Sequence, residues 1–64
     1  MIMNPQKVLA ALRKKGVTQS DLARKVGVTR EAVSKIVNGF RDPSLEVAKR
    51  IADYLGTTID DLVN

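Results

Sequence analysis

Only three residues, Gly27-Val28-Thr29, separate a helical pattern that closes at Val26 from another that opens at Arg30. That is the tightest constraint in the chain. Helices joined by so short a turn cannot lie side by side; they meet at a steep angle, roughly 90–120°. Both segments carry their apolar residues at helical spacing: Leu22, Ala23 and Val26 before the turn, Val33, Ile36 and Val37 after it. Small Ala23 permits close approach, and Val33 with Ile36 fills the angle. The pair spans Thr18 to Asn38, and the flanking segments read as its scaffold.

Each helix start has its own signal. Asn4 caps a first helix with Pro5 at its first position, where the missing N–H costs nothing. Met3 and Val8 flank that start as an apolar staple. Val8, Leu9 and Leu12 face inward with Ala11 beside them, and Gly16 closes the helix in a left-handed conformation. Thr18 caps the second helix, with Asp21 completing a capping box and Val17 and Leu22 a staple. Thr29 caps the third, between Val28 and Val33, and Asn38-Gly39 ends it. After a loop through Phe40, Arg41, Asp42 and Pro43, Ser44 caps a fourth helix whose apolar side is Leu45, Val47, Ala48, Ile51, Ala52 and Leu55, closed by Gly56. Thr58 and Asp61 repeat the capping box ahead of Ile59, Leu62 and Val63, which predicts a short fifth helix. No stretch alternates as a strand does. The expectation is one all-α domain over residues 1–64, compact, with five helices.

A chain of 64 residues buries only about 60% of its unfolded surface and depends on good packing and caps. It has no cysteine, hence neither disulfide nor thiolate metal site. It has no histidine either, and no acid stands beside a plausible nucleophile in a pocket, for which a domain this small has little room, so an enzyme is not expected and no cofactor or metal is implied. Asp60 and Asp61 read as helix-start acids rather than a catalytic pair. No apolar run approaches the roughly 20 residues of a membrane span, and MIMNPQ lacks the features of a signal peptide. The expected location is the cytoplasm, with no membrane partner.

Charge narrows the partner. Residues 1–17 carry Lys7, Arg13, Lys14 and Lys15 without an acid; residues 18–41 carry Arg24, Lys25, Arg30, Lys35 and Arg41 against Asp21 and Glu31; residues 42–64 carry five acids against Lys49 and Arg50. The net charge of +4 therefore conceals a basic portion, which holds the helix pair, and an acidic remainder. Such a basic face is the electrostatic footprint of a nucleic-acid binder. On the third helix Arg30, Glu31, Ser34, Lys35 and Asn38 fall on one outward face. Phe40 and Tyr54 are the only aromatics, which argues against single-strand binding by base stacking.

The spacing of Gln19, Ala23, Gly27, Val33 and Ile36, followed by Asn38-Gly39 and Pro43-Ser44-Leu45-Glu46, resembles the phage-repressor and Cro family of helix-turn-helix DNA-binding proteins. The resemblance runs from about Val8 to Val63. It implies a lambda repressor-like fold with the helix-turn-helix at the second and third helices. It also implies a sequence-specific double-stranded DNA binder, a transcriptional regulator and most simply a repressor, dimeric on a palindromic operator. Carried over residue by residue, it places Arg30, Glu31, Ser34 and Lys35 at base edges and Gln19, Thr29, Asn38 and Arg41 near phosphates. The family dimerises through its C-terminal part, which makes Ile59 and Val63 the candidates here, with Phe40 and Tyr54 beside them.

Two departures matter. Some family members bury an Arg–Glu pair between the first and third helices, where this chain has Leu12 and Val37. The first recognition position, often Gln in the family, is Arg30, whose fork suits guanine O6 and N7. Glu31 has three readings: acceptance from cytosine N4, pairing with Arg30 or Lys35, or complementing the helix dipole. A different class of function also fits the fold, a protein-interaction module of antitoxin-like or adaptor type. That class predicts apolar side chains on the outward face of the third helix.

Overall fold

The computed structural model describes residues 1–63. It contains four helices: α1 (Pro5–Lys15), α2 (Gln19–Val26), α3 (Arg30–Val37) and α4 (Leu45–Leu55). All four starts are capped as the sequence predicts. The Asn4 side chain accepts from the Gln6 and Lys7 N–H groups, and those of Thr18, Thr29 and Ser44 each accept from the third residue beyond. At α2 the box is reciprocal, because the Thr18 N–H donates to Asp21 Oδ2 at 2.9 Å while the Asp21 N–H donates to Thr18 Oγ1 at 3.1 Å.

One core joins the elements. Val8 and Leu12 of α1, Leu22, Ala23 and Val26 of α2, Val33, Ile36 and Val37 of α3, and Ala48, Ile51, Ala52 and Leu55 of α4 are all buried together. α2 packs on α3 and α4, and α1 closes over α3 and α4. Leu12 and Val37 are both buried, and no charged or polar side chain is buried among the described residues. An apolar pair here avoids the desolvation penalty of an ion pair, a replacement that is often neutral or stabilising.

The turn between α2 and α3 is made at Gly27, φ +84°. Its N–H and that of Val28 both donate to the Ala23 carbonyl, at 2.9 and 3.1 Å. The chain thus leaves the helix axis within two residues while the last turn of α2 keeps its hydrogen bonds. A left-handed residue there strongly favours glycine.

Two expectations fail. The fifth helix does not form: residues 58–62 make successive turns, and Val63 instead forms an isolated antiparallel bridge with Met3. The Thr58 hydroxyl does accept from the Asp61 N–H, at 3.2 Å, but the Asp61 carboxylate takes the Thr57 hydroxyl, at 3.0 Å. The Leu62 carbonyl is drawn to the Asn4 N–H at 2.8 Å, and Lys7 Nζ holds the Val63 carbonyl at 3.0 Å. So short a segment repays the cost of helix nucleation poorly, and the amino-terminal segment offers it other partners. The second failure is Leu45, which is 61% exposed rather than part of the inward side of α4.

Candidate nucleic-acid interface

α3 buries Val33, Ile36 and Val37, and that orientation decides what it shows to solvent. Arg30, Glu31 and Lys35 are exposed, and Ser34 is half-buried between them and the core. Among the described residues none of the three charged side chains has a hydrogen bond or ion pair. Pairing of Glu31 with Arg30 or Lys35 is therefore absent. Glu31 lies in the first turn, where its charge complements the helix N-terminus.

The flanking polar residues are more constrained. Thr29 Oγ1 accepts from the Ala32 N–H at 3.1 Å. Asn38 Nδ2 donates back to the Ser34 carbonyl at 2.8 Å and to its hydroxyl at 3.4 Å, so this amide is folded over the end of the helix. Gln19 is the first residue of α2 and half-buried; Arg41 is exposed, and its N–H donates to the Lys35 carbonyl at 3.2 Å. Phe40, whose N–H bonds the same carbonyl at 2.8 Å, projects from the end of α3 with 84% of its surface exposed. The other residues expected at a dimer contact are partly exposed and packed on one side against the core. Ile59 and Val63 are partly buried against the core, as is Tyr54, and Lys15 Nζ sits 4.4 Å from the centre of the Tyr54 ring.

Two carboxylates are tuned by neighbouring threonines. Asp21 is held below the usual carboxylate range, first by the Thr18 N–H and then by its hydroxyl, with Arg24 Nη2 adding a hydrogen bond at 2.8 Å. Asp61 is lowered chiefly by the hydroxyls of Thr57 and Thr58. Both remain anions at neutral pH; Asp21 closes the capping box of α2, and Asp61 ties the turn after α4 through Thr57.

Arg50, on α4, escaped the sequence reading. Its Nη1 donates to the Val26 carbonyl, the last of α2, at 3.2 Å, and its Nη2 pairs with Glu46 at 2.6 Å. The guanidinium thus ties α4 to the mouth of the α2–α3 turn and satisfies a carbonyl that the helix end leaves free. The four-residue spacing from Glu46 was visible as a possible helical pair. The contact with Val26, 24 positions away, has no sequence signal.

The comparison with known proteins bears on this arrangement. A helix-turn-helix family model matches residues 9–62, most of the chain. The protein belongs to the Cro/C1-type helix-turn-helix family. Members of this family share the two-helix unit just described, here α2 and α3. One similar protein is an uncharacterised HTH-type transcriptional regulator of Methanocaldococcus jannaschii, 46% identical over 46 residues that cover 72% of this chain and 70% of that protein. Among solved structures, the restriction-modification controller protein C.AhdI from Aeromonas hydrophila superposes with a TM-score of 0.78 at 26% identity, covering 89% of this chain and 86% of its own. The DNA-binding domain of the P22 C2 repressor gives 0.80 at 23% identity over 94% of this chain and 78% of that one, which establishes the shared fold. As a helix-turn-helix protein of this kind, the chain is a DNA-binding transcription regulator. Among the described residues no helix is long and apolar enough to cross a membrane.

Proposed function

We propose that the protein is a sequence-specific regulator of transcription, acting in the cytoplasm as a repressor, that binds double-stranded DNA as a homodimer on a palindromic operator. The observation that carries this reading is the outward face of α3, where Arg30 and Lys35 stand exposed and free of partners inside the described chain. A charged side chain left unpaired beside a short, rigidly capped turn is free to engage an external anion or base edge. α3 enters the major groove, and α2 crosses the backbone. Arg30 reads guanine, Lys35 and Ser34 contact neighbouring base edges, and Glu31 takes cytosine N4. Gln19, Thr29, Asn38 and Arg41 hold phosphates; for Asn38 this requires the amide to leave Ser34. Phosphate contacts make affinity fall with salt as counterions are released. Occupying a promoter by this means needs no catalytic group.

The alternative, an interaction module with DNA binding lost, calls for apolar side chains on α3. The exposed large hydrophobic residues of the described chain are Met1, Ile2, Phe40 and Leu45, none of them on the outward face of α3. That distribution favours DNA as the ligand of α3. Selection from random duplex DNA at moderate salt tests the proposal. Enrichment of a two-fold symmetric consensus is the expected result; failure of any sequence to enrich would overturn it.

A further inference from the structure

Asn38 and Gly39 close α3 with two groups that can react with each other. The Asn38 side chain is exposed, and Gly39 follows it directly at φ +79°. The backbone nitrogen after an asparagine can attack the side-chain carbonyl carbon, and glycine, with no Cβ, hinders that attack least. Asn4, by contrast, precedes Pro5, whose nitrogen carries no proton to give up. Both members of the pair are also held in place by the fold. The left-handed φ of Gly39 favours glycine, and a Cβ there would stand 3.5 Å from Ile2 Cγ2 and from the Met3 carbonyl oxygen. The Asn38 Nδ2 closes the helix on the Ser34 carbonyl at 2.8 Å.

The same contacts restrain the reaction. The Gly39 N–H donates to the Ile36 carbonyl at 3.1 Å while Ser34 engages the amide. These bonds lie at the end of a helix, where ends fray, and those of the amide are exposed to water. Opening of that turn frees the amide and the Gly39 nitrogen together.

We propose that Asn38-Gly39 is a self-modification site at which deamidation switches off DNA binding; the switch rests on the DNA-binding reading above. The Gly39 nitrogen loses its proton and bonds to Asn38 Cγ, the Cγ–Nδ2 bond breaks, and ammonia leaves a cyclic imide. Water then opens the ring at either carbonyl and gives aspartate or isoaspartate. Water is consumed and ammonia released in equal amounts, with no change of oxidation state.

Either product disturbs the end of α3. A carboxylate only accepts hydrogen bonds, so the group that donated to the Ser34 carbonyl now repels it. Its charge adds to the negative end of the helix dipole and opposes the phosphates that Asn38 is proposed to hold. Isoaspartate also inserts a methylene into the backbone just before Gly39, Phe40 and Arg41, whose N–H groups bond the Ile36 and Lys35 carbonyls.

The test ages the purified chain at mildly alkaline pH and samples it over time. Intact mass and peptide mapping should show NH2 exchanged for OH at Asn38, faster in concentrated urea, where the Ser34 and Ile36 contacts are gone. Fluorescence anisotropy on the selected duplex should show affinity falling in step with that exchange, by at least about tenfold for fully converted protein, while thermal melting shows that the chain stays folded. Asn38→Asp should reproduce the loss. Asn38→Ser cannot cyclise; it starts weaker for want of the amide but should hold its affinity through the same ageing. No exchange at Asn38 in the native chain overturns the proposal, as does full exchange with affinity unchanged. An equal decline in Asn38→Ser overturns it too, since the loss then comes from other damage. A fresh wild-type chain that enriches no duplex removes the DNA-binding reading and the switch with it, whereas exchange at Asn38 still establishes the site.

Discussion

Replacing Gly27 by Ala separates backbone strain at the turn from every side-chain effect. At φ +84° the new Cβ meets the following backbone, while its nearest other neighbour, Arg50 Nη1, is 3.8 Å away. That distance is ordinary contact, so overpacking adds nothing. A left-handed conformation costs an L-residue about 1–2 kcal/mol. Ala also lowers the entropy of the unfolded chain, which offsets about 0.4–1 kcal/mol at a position it can adopt freely. The balance is a destabilisation of about 1 kcal/mol, and a domain of 60–100 residues loses about 4–8 °C of melting temperature for each kcal/mol. Gly16→Ala is the matched control, since φ is +75° and a Cβ there meets nothing within 4 Å, far from the α2–α3 turn. The two variants should melt at similar temperatures by circular dichroism. DNA affinity measured well below the melting transition should fall only for Gly27→Ala. A Gly27→Ala protein as stable as wild type would refute the left-handed turn; equal affinity losses in the two variants would refute its role in setting the angle of α3.

Other expectations follow from the same geometry. Arg30→Ala should cost about 1–3 kcal/mol on the selected site and relax preference at one base pair, read by competition binding across single-base variants; a uniform loss over all sequences would place Arg30 on the backbone. Arg41→Ala should weaken every duplex alike and reduce the slope of log affinity against log salt by about one, as salt titration will show. Arg50→Met keeps much of the stem but loses the Val26 hydrogen bond, so chemical denaturation should report a loss of about 0.5–1.5 kcal/mol, toward the low end because the side chain is half exposed. Acid titration tests the two threonine-held carboxylates. Asp21 and Asp61 have folded values below their ordinary 3.8, so their stabilisation is complete above that pH and is lost as pH falls through the lowered values. Asp21→Asn with Asp61→Asn should flatten the acid limb of stability; an unchanged limb would mean these carboxylates contribute nothing.

Local rules carried most of the helices. Asn4, Thr18, Thr29 and Ser44 each cap the helix they announce, because capping depends on residues within three or four positions. The periodicity of Leu22–Val26 and Val33–Val37 fixed which faces turn inward, and with them the outward placement of Arg30, Glu31 and Lys35. The segment after Gly56 defeated the same rules. Thr58 and Asp61 spell a helix start, yet the backbone groups beyond them found Met3, Asn4 and Lys7, which lie at the other end of the chain.

The sequence by itself thus determined the class of fold, the α2–α3 turn and the basic face of α3, since each follows from spacing, capping or charge over a few residues. Tertiary structure decided what needs distant segments to meet. It turned Asn38 back on Ser34, set Arg50 on the last carbonyl of α2, and packed one side of Ile59, Val63 and Tyr54 against the core. It also left Phe40 exposed just beyond α3 and Leu45 exposed at the start of α4. Burial is a property of neighbours, and neighbours brought together by folding leave no trace in local periodicity.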